Sequence, residues 1–235
     1  MPLALIRRRL TAVAKPERAA VNASFFKTGP GEYGEGDRFI GVNVPMLRKL
    51  SREFEDIPLR SVAMMLSSRW HEERLLALLI LVRQYQQGER KQRDAIHTVY
   101  LKNTRFINNW DLVDLSAEHI VGPHLRAANR ALLVRLAKSK DLWERRIAML
   151  ATFHYIKGGE FKDALRIATL LLDDPHDLIH KAVGWMLREI GNRDRAVEEA
   201  FLRQHASRMP RTMLRYAIER FPEPLRRRYL SVKSS

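Results

Sequence analysis

The 235-residue chain carries 42 lysines and arginines against 27 aspartates and glutamates, a net charge of +15, and 46% of its residues are hydrophobic. That apolar fraction excludes a disordered tail, and the length suffices for one domain with a substantial core or for two small ones, while the charge points to a polyanionic partner, nucleic acid before an anionic membrane. Without a single cysteine, disulfides, thiol chemistry and thiolate zinc sites are excluded, and the composition fits a cytoplasmic protein.

The first residues, Met1 to Arg9, place their charges after a very short apolar run. A signal peptide has the reverse order, so residues 1–20 are expected to form an N-terminal helix or arm. No stretch approaches the ~20 apolar residues of a membrane span. A Gly-rich stretch follows, Gly29-Pro30-Gly31-Glu32-Tyr33-Gly34-Glu35-Gly36-Asp37. It is acidic and lacks the Lys-Ser/Thr pair of a phosphate-cradling loop, so it reads as a turn or short ordered loop. Beyond it, helical patterning dominates, with prolines and glycines as punctuation.

A weak repeat runs through the helical part. Trp70-His71-Glu72-Glu73-Arg74-Leu75-Leu76-Ala77 resembles Trp143-Glu144-Arg145-Arg146-Ile147-Ala148-Met149-Leu150, and the segments from Leu178 and from Arg211 repeat a basic residue entering an apolar run. Arg74, Arg146, Lys181 and Arg215 fall 72, 35 and 34 residues apart. A period near 35 is one helical hairpin, the unit of an α-solenoid, and the Trp110 helix fills the double step. The expectation is a single all-α domain over 1–235, a solenoid curved around a concave surface, with 225–235 as a frayed tail.

Within Phe106–Asp114 the chain reads as the opening turns of a helix, so Trp110 and Asp114 share a face. Val113, Ala117 and Ile120 form its core stripe, Trp110 and Asp114 flank it, and Asp111 points away. An indole beside a carboxylate in a very basic chain suits something cationic held on a polyanion, and alkylated DNA fits. Ordinary readings stand beside this one: core packing for Trp110, an ion pair with an arginine of the next repeat for Asp114.

Asp141 is expected to cap a helix over 143–154 whose stripe is Trp143, Ile147, Leu150 and His154. Arg146 borders that stripe, as an ordered contact or an ion-pair partner, and Arg145 faces outward. Asp174-Pro175 is expected to open a helix over 177–190. Its stripe is Ile179, Val183, Met186 and Ile190, with Lys181, Trp185 and Arg188 on the opposite side and Gly184 leaving room for close approach. Trp185 reads as an exposed, ligand-facing indole, with cover from a neighbouring helix as the alternative. His176 and His180 have a metal-compatible spacing around Asp177, but HExxH is absent. Histidines at a helix start, capping it or touching phosphate, are the simpler reading, and neither metal nor cofactor is expected.

Taken together, Trp110-Asp111-Leu112-Val113-Asp114, the segment from Trp143 to Leu150, and Lys181-Ala182-Val183-Gly184-Trp185-Met186-Leu187-Arg188-Glu189 resemble the AlkD-like DNA alkylation repair family, over about Val21 to Arg220. The resemblance implies HEAT-like helical repeats with a basic concave face. It implies a DNA glycosylase that excises positively charged alkylated purines, 3-methyladenine and 7-methylguanine, from duplex DNA in base excision repair, without enclosing the base. Asp114 matches the catalytic carboxylate, which would stabilise the oxocarbenium-like sugar and orient water. Trp110 and Trp185 match the two indoles flanking the lesion sugar. Arg146 matches an arginine on the DNA backbone, with Lys181 and Arg188 as further phosphate contacts. One position departs: Phe25 stands where the family has a Tyr, and the Gly-rich loop is longer here. The implied partner is alkylated double-stranded DNA bound by a monomer, cytoplasmic and nucleoid-associated when bound, with no membrane. A non-catalytic HEAT-repeat binder of branched or damaged DNA and a helical scaffold for an acidic protein are the alternatives.

Overall fold

The computed structural model describes residues 2–126 and 129–231. Among the described residues every regular element is a helix, apart from an isolated bridge between Arg38 and Trp70. None of these helices is long and apolar enough to cross a membrane. The chain divides into two compact units, Met1–Ile120 and Val121–Ser235.

In the first unit, α1 (Pro2–Ala12) and α2 (Pro16–Phe25) replace the expected single helix or arm. Ile6 and Leu10 of α1 are buried, so this segment belongs to the core. Next come α3 (Val44–Glu53), α4 (Leu59–Leu66), α5 (His71–Gln87), α6 (Arg90–Lys102) and the five-residue α7 (Trp110–Asp114). The next helix, α8 (Ala117–Leu125), follows two residues later. The Asn43 side chain caps α3 by accepting from the Met46 amide, with Pro45 in the first turn where no partner for its nitrogen is needed.

Helix α5 is the hub of this unit. It packs against α3, α4 and α6, and Leu75, Leu76, Leu78, Ile80 and Leu81 are buried. Its first turn is polar and buried too: His71, Glu72, Glu73 and Arg74 are each at most 4% exposed. Such residues stay inside only when paired. Glu72 accepts from the amides of Ile40, Gly41 and Val42, and Glu73 accepts from Arg7 and Ser68.

The second unit holds α9 (Ala131–Ala137), α10 (Leu142–Ala151), α11 (Phe153–Lys157), α12 (Lys162–Leu170), α13 (Asp177–Gly191), α14 (Arg195–His205), α15 (Arg211–Ala217) and α16 (Glu223–Leu230). Helix α13 packs against α10, α12, α14 and α15, and α10 packs against α9. The Gly184 site explains one spacing: a Cβ there would lie 2.4 Å from the Met213 carbonyl oxygen, so the close approach is to α15. The expected stripe of Ile179, Val183, Met186 and Ile190 is fully buried.

Three local readings change. Helix α10 ends at Ala151, so His154 lies on α11. Helix α13 starts at Asp177 as expected, but its cap is His176 rather than Asp174, with Nδ1 accepting from the Leu178 amide. Asp174 is spent one step earlier, taking the His176 amide and the Arg145 guanidinium, so Arg145 is anchored rather than outward-facing. Asp141 caps α10 as expected, accepting from Trp143 and Glu144. The tail expected to fray from 225 is helical through Leu230, and residues 232–235 of that expectation lie outside the described residues.

Candidate functional site

Helix α7 begins where Asn109 caps the Trp110 amide at 2.8 Å. Five residues cannot hold a helix in water on their own, because nucleation outweighs so few bonds. Its placement comes from packing: Leu112 and Val113 are buried, and Asp111 and Trp110 are each held from outside the helix.

The outside support starts at the end of α2. Phe26 follows its last residue, and Lys27 then adopts φ 56°, a left-handed turn that stops the helix. The Gly-rich segment folds back on this turn. The Gly34 amide donates to the Lys27 carbonyl at 3.0 Å, and a Cβ at Gly34 would lie 2.3 Å from the Phe26 carbonyl oxygen. Glu32 and Glu35 are used internally, accepting from the amides of Gly29 and Gly31. The segment is therefore the ordered loop that its composition suggests, and it delivers Asp37 to the interior.

Asp37 meets His71 there, 2.7 Å from Nδ1, and Arg74 Nη2 donates to its other oxygen at 2.7 Å. His71 Nε2 lies 2.8 Å from Asp111 Oδ2 on α7. Burial alone would favour a neutral imidazole, but Asp111 and then Asp37 outweigh it and raise the His71 pKa to about 9. Both ring nitrogens then carry protons and donate. Burial likewise works against the Asp37 carboxylate, and His71 with Arg74 overcomes it, leaving its pKa below the ordinary value. Asp111, which the helical reading points away, is thus turned inward onto this bridge.

Aromatic rings line the same place. The His71 ring stacks on Phe39 at 4.6 Å and lies 5.0 Å from Phe26. Phe26 stacks on the Trp110 indole at 5.2 Å and 26°, and Phe25 meets that indole edge-on at 5.9 Å. Phe25 is 61% exposed, an unusual state for a phenylalanine and the exposed end of the cluster. Trp110 is half-buried, neither core nor free.

Asp114, one turn on, lines a cleft of about 380 Å³ with Arg48, Arg52, Arg83, Gln86 and His119. Arg83 is paired with Glu55, while Arg48 and Arg52 are exposed and form no ion pair among the described residues. Tyr100 lies behind this wall: burial pushes its hydroxyl pKa up, and the Asp114 charge adds to the effect.

The remaining predicted residues belong to the second unit. Trp185 is half-buried, with the Phe153 ring at 5.9 Å, so the indole is partly covered rather than fully exposed. Lys181 pairs with Asp177 at 2.6 Å, and Arg188 pairs with Glu219. Arg146 is 4% exposed, with Nη1 donating to the Leu178 carbonyl at 2.5 Å. No cluster of metal-ligating side chains occurs among the described residues, and His176 and His180 serve the start of α13.

The sequence reading missed His71, Asp37, Phe26 and Phe39. A run of His, Glu, Glu and Arg looks solvated, and its one warning was its repeat match to Trp143–Leu150, which opens a buried helix.

A family model described as DNA alkylation repair enzyme matches residues 6–221. The chain belongs to the DNA alkylation repair enzyme family. Its helical fold is also similar to the solved structure of a predicted DNA alkylation repair enzyme from Enterococcus faecalis, with a TM-score of 0.67 and 15% identity over 89% of this chain and 97% of that one. No curated protein matches. Membership in the DNA alkylation repair family gives this chain a role in alkylation damage and makes DNA its substrate or partner. It also gives the excess of cations a purpose.

Proposed function

We propose that this protein is a DNA glycosylase that releases alkylated, positively charged purines from duplex DNA, and that Asp114 is its catalytic carboxylate. The observation that carries the reading is Asp114 itself, half-buried in a cleft beside Arg48 and Arg52. Arg48 and Arg52, which form no ion pair among the described residues, suit phosphates, and a carboxylate lining the same cleft would then meet the sugar that those phosphates flank.

Alkylation at N3 of adenine or N7 of guanine makes the base a good leaving group, so no acid need protonate it. Breaking the C1′–N bond leaves an oxocarbenium-like sugar, as in glycoside hydrolysis. A fixed carboxylate lowers the energy of that cation and orients the attacking water. Trp110 and the exposed Phe25 offer π faces to a cationic nucleotide on the same unit. On the second unit, Lys181, Trp185 and Arg188 share one face of α13, which supports a role in holding the DNA backbone after Asp177 and Glu219 are exchanged for phosphates. The phosphate role implied for Arg146 falls on a guanidinium with little exposed surface; its bond to Leu178 also fixes the first turn of α13.

The test is release of 3-methyladenine and 7-methylguanine from methylated duplex DNA. The wild type should release both, and Asp114→Asn should lose release by at least about a hundredfold, the size expected for removing one preorganised electrostatic group, while keeping duplex affinity. Equal release by Asp114→Asn would remove the catalytic assignment. DNA binding with no release by the wild type would favour a non-catalytic binder of damaged DNA.

A further inference from the structure

The bridge beneath α7 is a polar network centred on His71. His71 uses both ring nitrogens, on Asp37 and Asp111. Asp37 accepts from His71, Arg74 and its neighbour's amide at Arg38. Asp111 accepts from His71 with one oxygen and from the Leu112 amide with the other. The groups around the imidazole come from three elements: Asp37 from the Gly-rich loop, Asp111 from α7, and Arg74 from α5 itself. Glu72, also on α5, is turned to the 40–42 amides.

A buried charge cluster of this kind tolerates little displacement, because any opening strands a charge without water. Its links are also placed to matter. Asp111 is adjacent to Trp110 in sequence and three residues before Asp114. The imidazole is stacked on Phe39 and set against Phe26, which itself stacks on Trp110. One residue thus meets α7 twice, through a charged hydrogen bond and through a ring.

We propose that His71 is the positioning residue of the candidate site: bridged between Asp37 and Asp111, it sets where α7 holds Trp110 and Asp114. The inference rests on the reading of Asp114 as the acting group. His71 touches no substrate; it acts through α7. The Gly-rich loop gains a task as well, since it supplies the Asp37 end of the bridge.

The experiment uses the full chain as wild type, His71→Phe and Asp111→Asn. The first variant keeps a ring for the stack and removes both bridges. The second keeps the shape of α7 and removes one charge, and it decides the matter if His71→Phe does not fold. Two readouts are taken: single-turnover release of 7-methylguanine with affinity for the same duplex, and amide exchange protection across α7 and α13, corrected for intrinsic rates.

The expected result is release slowed about tenfold to a hundredfold in either variant, the range for a small misplacement of a reacting group. Duplex affinity should stay within about threefold, because phosphate contacts dominate it. Protection should fall in Leu112–Ser116 and stay unchanged in α13. Wild-type protection of α7 should also drop as pH rises past about 9, and His71→Phe should lack that step. Unchanged release in both folded variants would overturn the proposal, as would an equal loss of protection in α13, which marks a merely structural residue. If the wild type releases no base, the glycosylase reading fails by itself, and the local protection pattern still decides whether His71 positions α7.

Discussion

Two tryptophans carry the candidate chemistry, and the molecule positions them by opposite means. Trp185 sits on α13, fifteen residues with a fully buried stripe and a neighbour packed along much of its length. That helix would place the indole whatever touched it, and one ring, Phe153, does. Trp110 sits on α7, five residues that cannot place anything alone. Its position is imposed by Phe25 and Phe26 and by a charged bridge through the next residue. A long amphipathic helix holds a functional side chain through apolar area. A short one holds it through directional contacts, which fix geometry more narrowly but depend on a protonation state.

That dependence gives the largest expected effect. The His71 pKa is about 9 in the folded chain against an ordinary value of 6.5. A pKa raised by folding means that the contribution is complete below 6.5 and is lost as pH climbs through 9. The shift corresponds to about 3 kcal/mol. Glu198 in the second unit moves in the same direction, raised by burial to about 8, so its window opens lower. The difference in urea stability between wild type and His71→Phe isolates the first window. It should shrink between pH 6.5 and 9.5; a flat difference would mean that the bridge carries no net proton.

The α13 side breaks by volume instead. Gly184→Ala in an exposed helix would stabilise it by about 1 kcal/mol. Here the added Cβ would stand 2.4 Å from the Met213 carbonyl oxygen and 2.5 Å from the Tyr216 Cβ. Backbone on one side cannot move cheaply, so overpacking wins, and a net loss of about 1–3 kcal/mol is expected. Thermal unfolding at pH 6 and at pH 9.5 checks both parts: the loss should be present and should not vary with pH, unlike that of His71→Phe.

The same contrast explains what was legible in the sequence. The α13 stripe follows helical spacing, so Ile179, Val183, Met186 and Ile190 could be read off directly, as could Lys181, Trp185 and Arg188 on the other side. Trp110 and Asp114 were legible as candidates because they are one turn apart. Their support was not, because Asp37, His71 and Asp111 are separated by 34 and 40 residues and meet only in three dimensions. Periodicity reports which face is apolar; it says nothing of a carboxylate turned inward to meet a charge from elsewhere. Asp174 was misread for a related reason: Asp before Pro is a good cap by local rules, and a distant partner, Arg145, took it.

Smaller effects are expected where α13 meets DNA in the proposed function. Lys181 and Arg188 are each held by a carboxylate in the free protein. Replacing either by Ala should weaken duplex binding and lower the slope of log affinity against log salt by about 1, one phosphate each. Arg146→Ala discriminates further. If its guanidinium serves α13 through the Leu178 carbonyl, stability falls and the slope stays; if it reaches phosphate, the slope falls. Filter binding at three salt concentrations separates these outcomes.

The smallest change tests the support of Trp110 at its far end. Lys27 holds φ 56° where α2 stops, a conformation that an L side chain resists and glycine accepts. Lys27→Gly should therefore stabilise the chain by about 0.5–1 kcal/mol, after allowing for the freer unfolded state. The bond from the Gly34 amide to the residue 27 carbonyl is backbone and survives the change. Helix α13 ends differently: Asn192 has φ −63°, so it makes no left-handed turn. Asn192→Gly should accordingly bring a loss of a few tenths to about 1 kcal/mol, because only the entropy term remains. Opposite signs for one kind of substitution, read by urea midpoints, would show that the turn feeding Phe25 and Phe26 to Trp110 is held against a local backbone preference, whereas the helix bearing Trp185 ends without one.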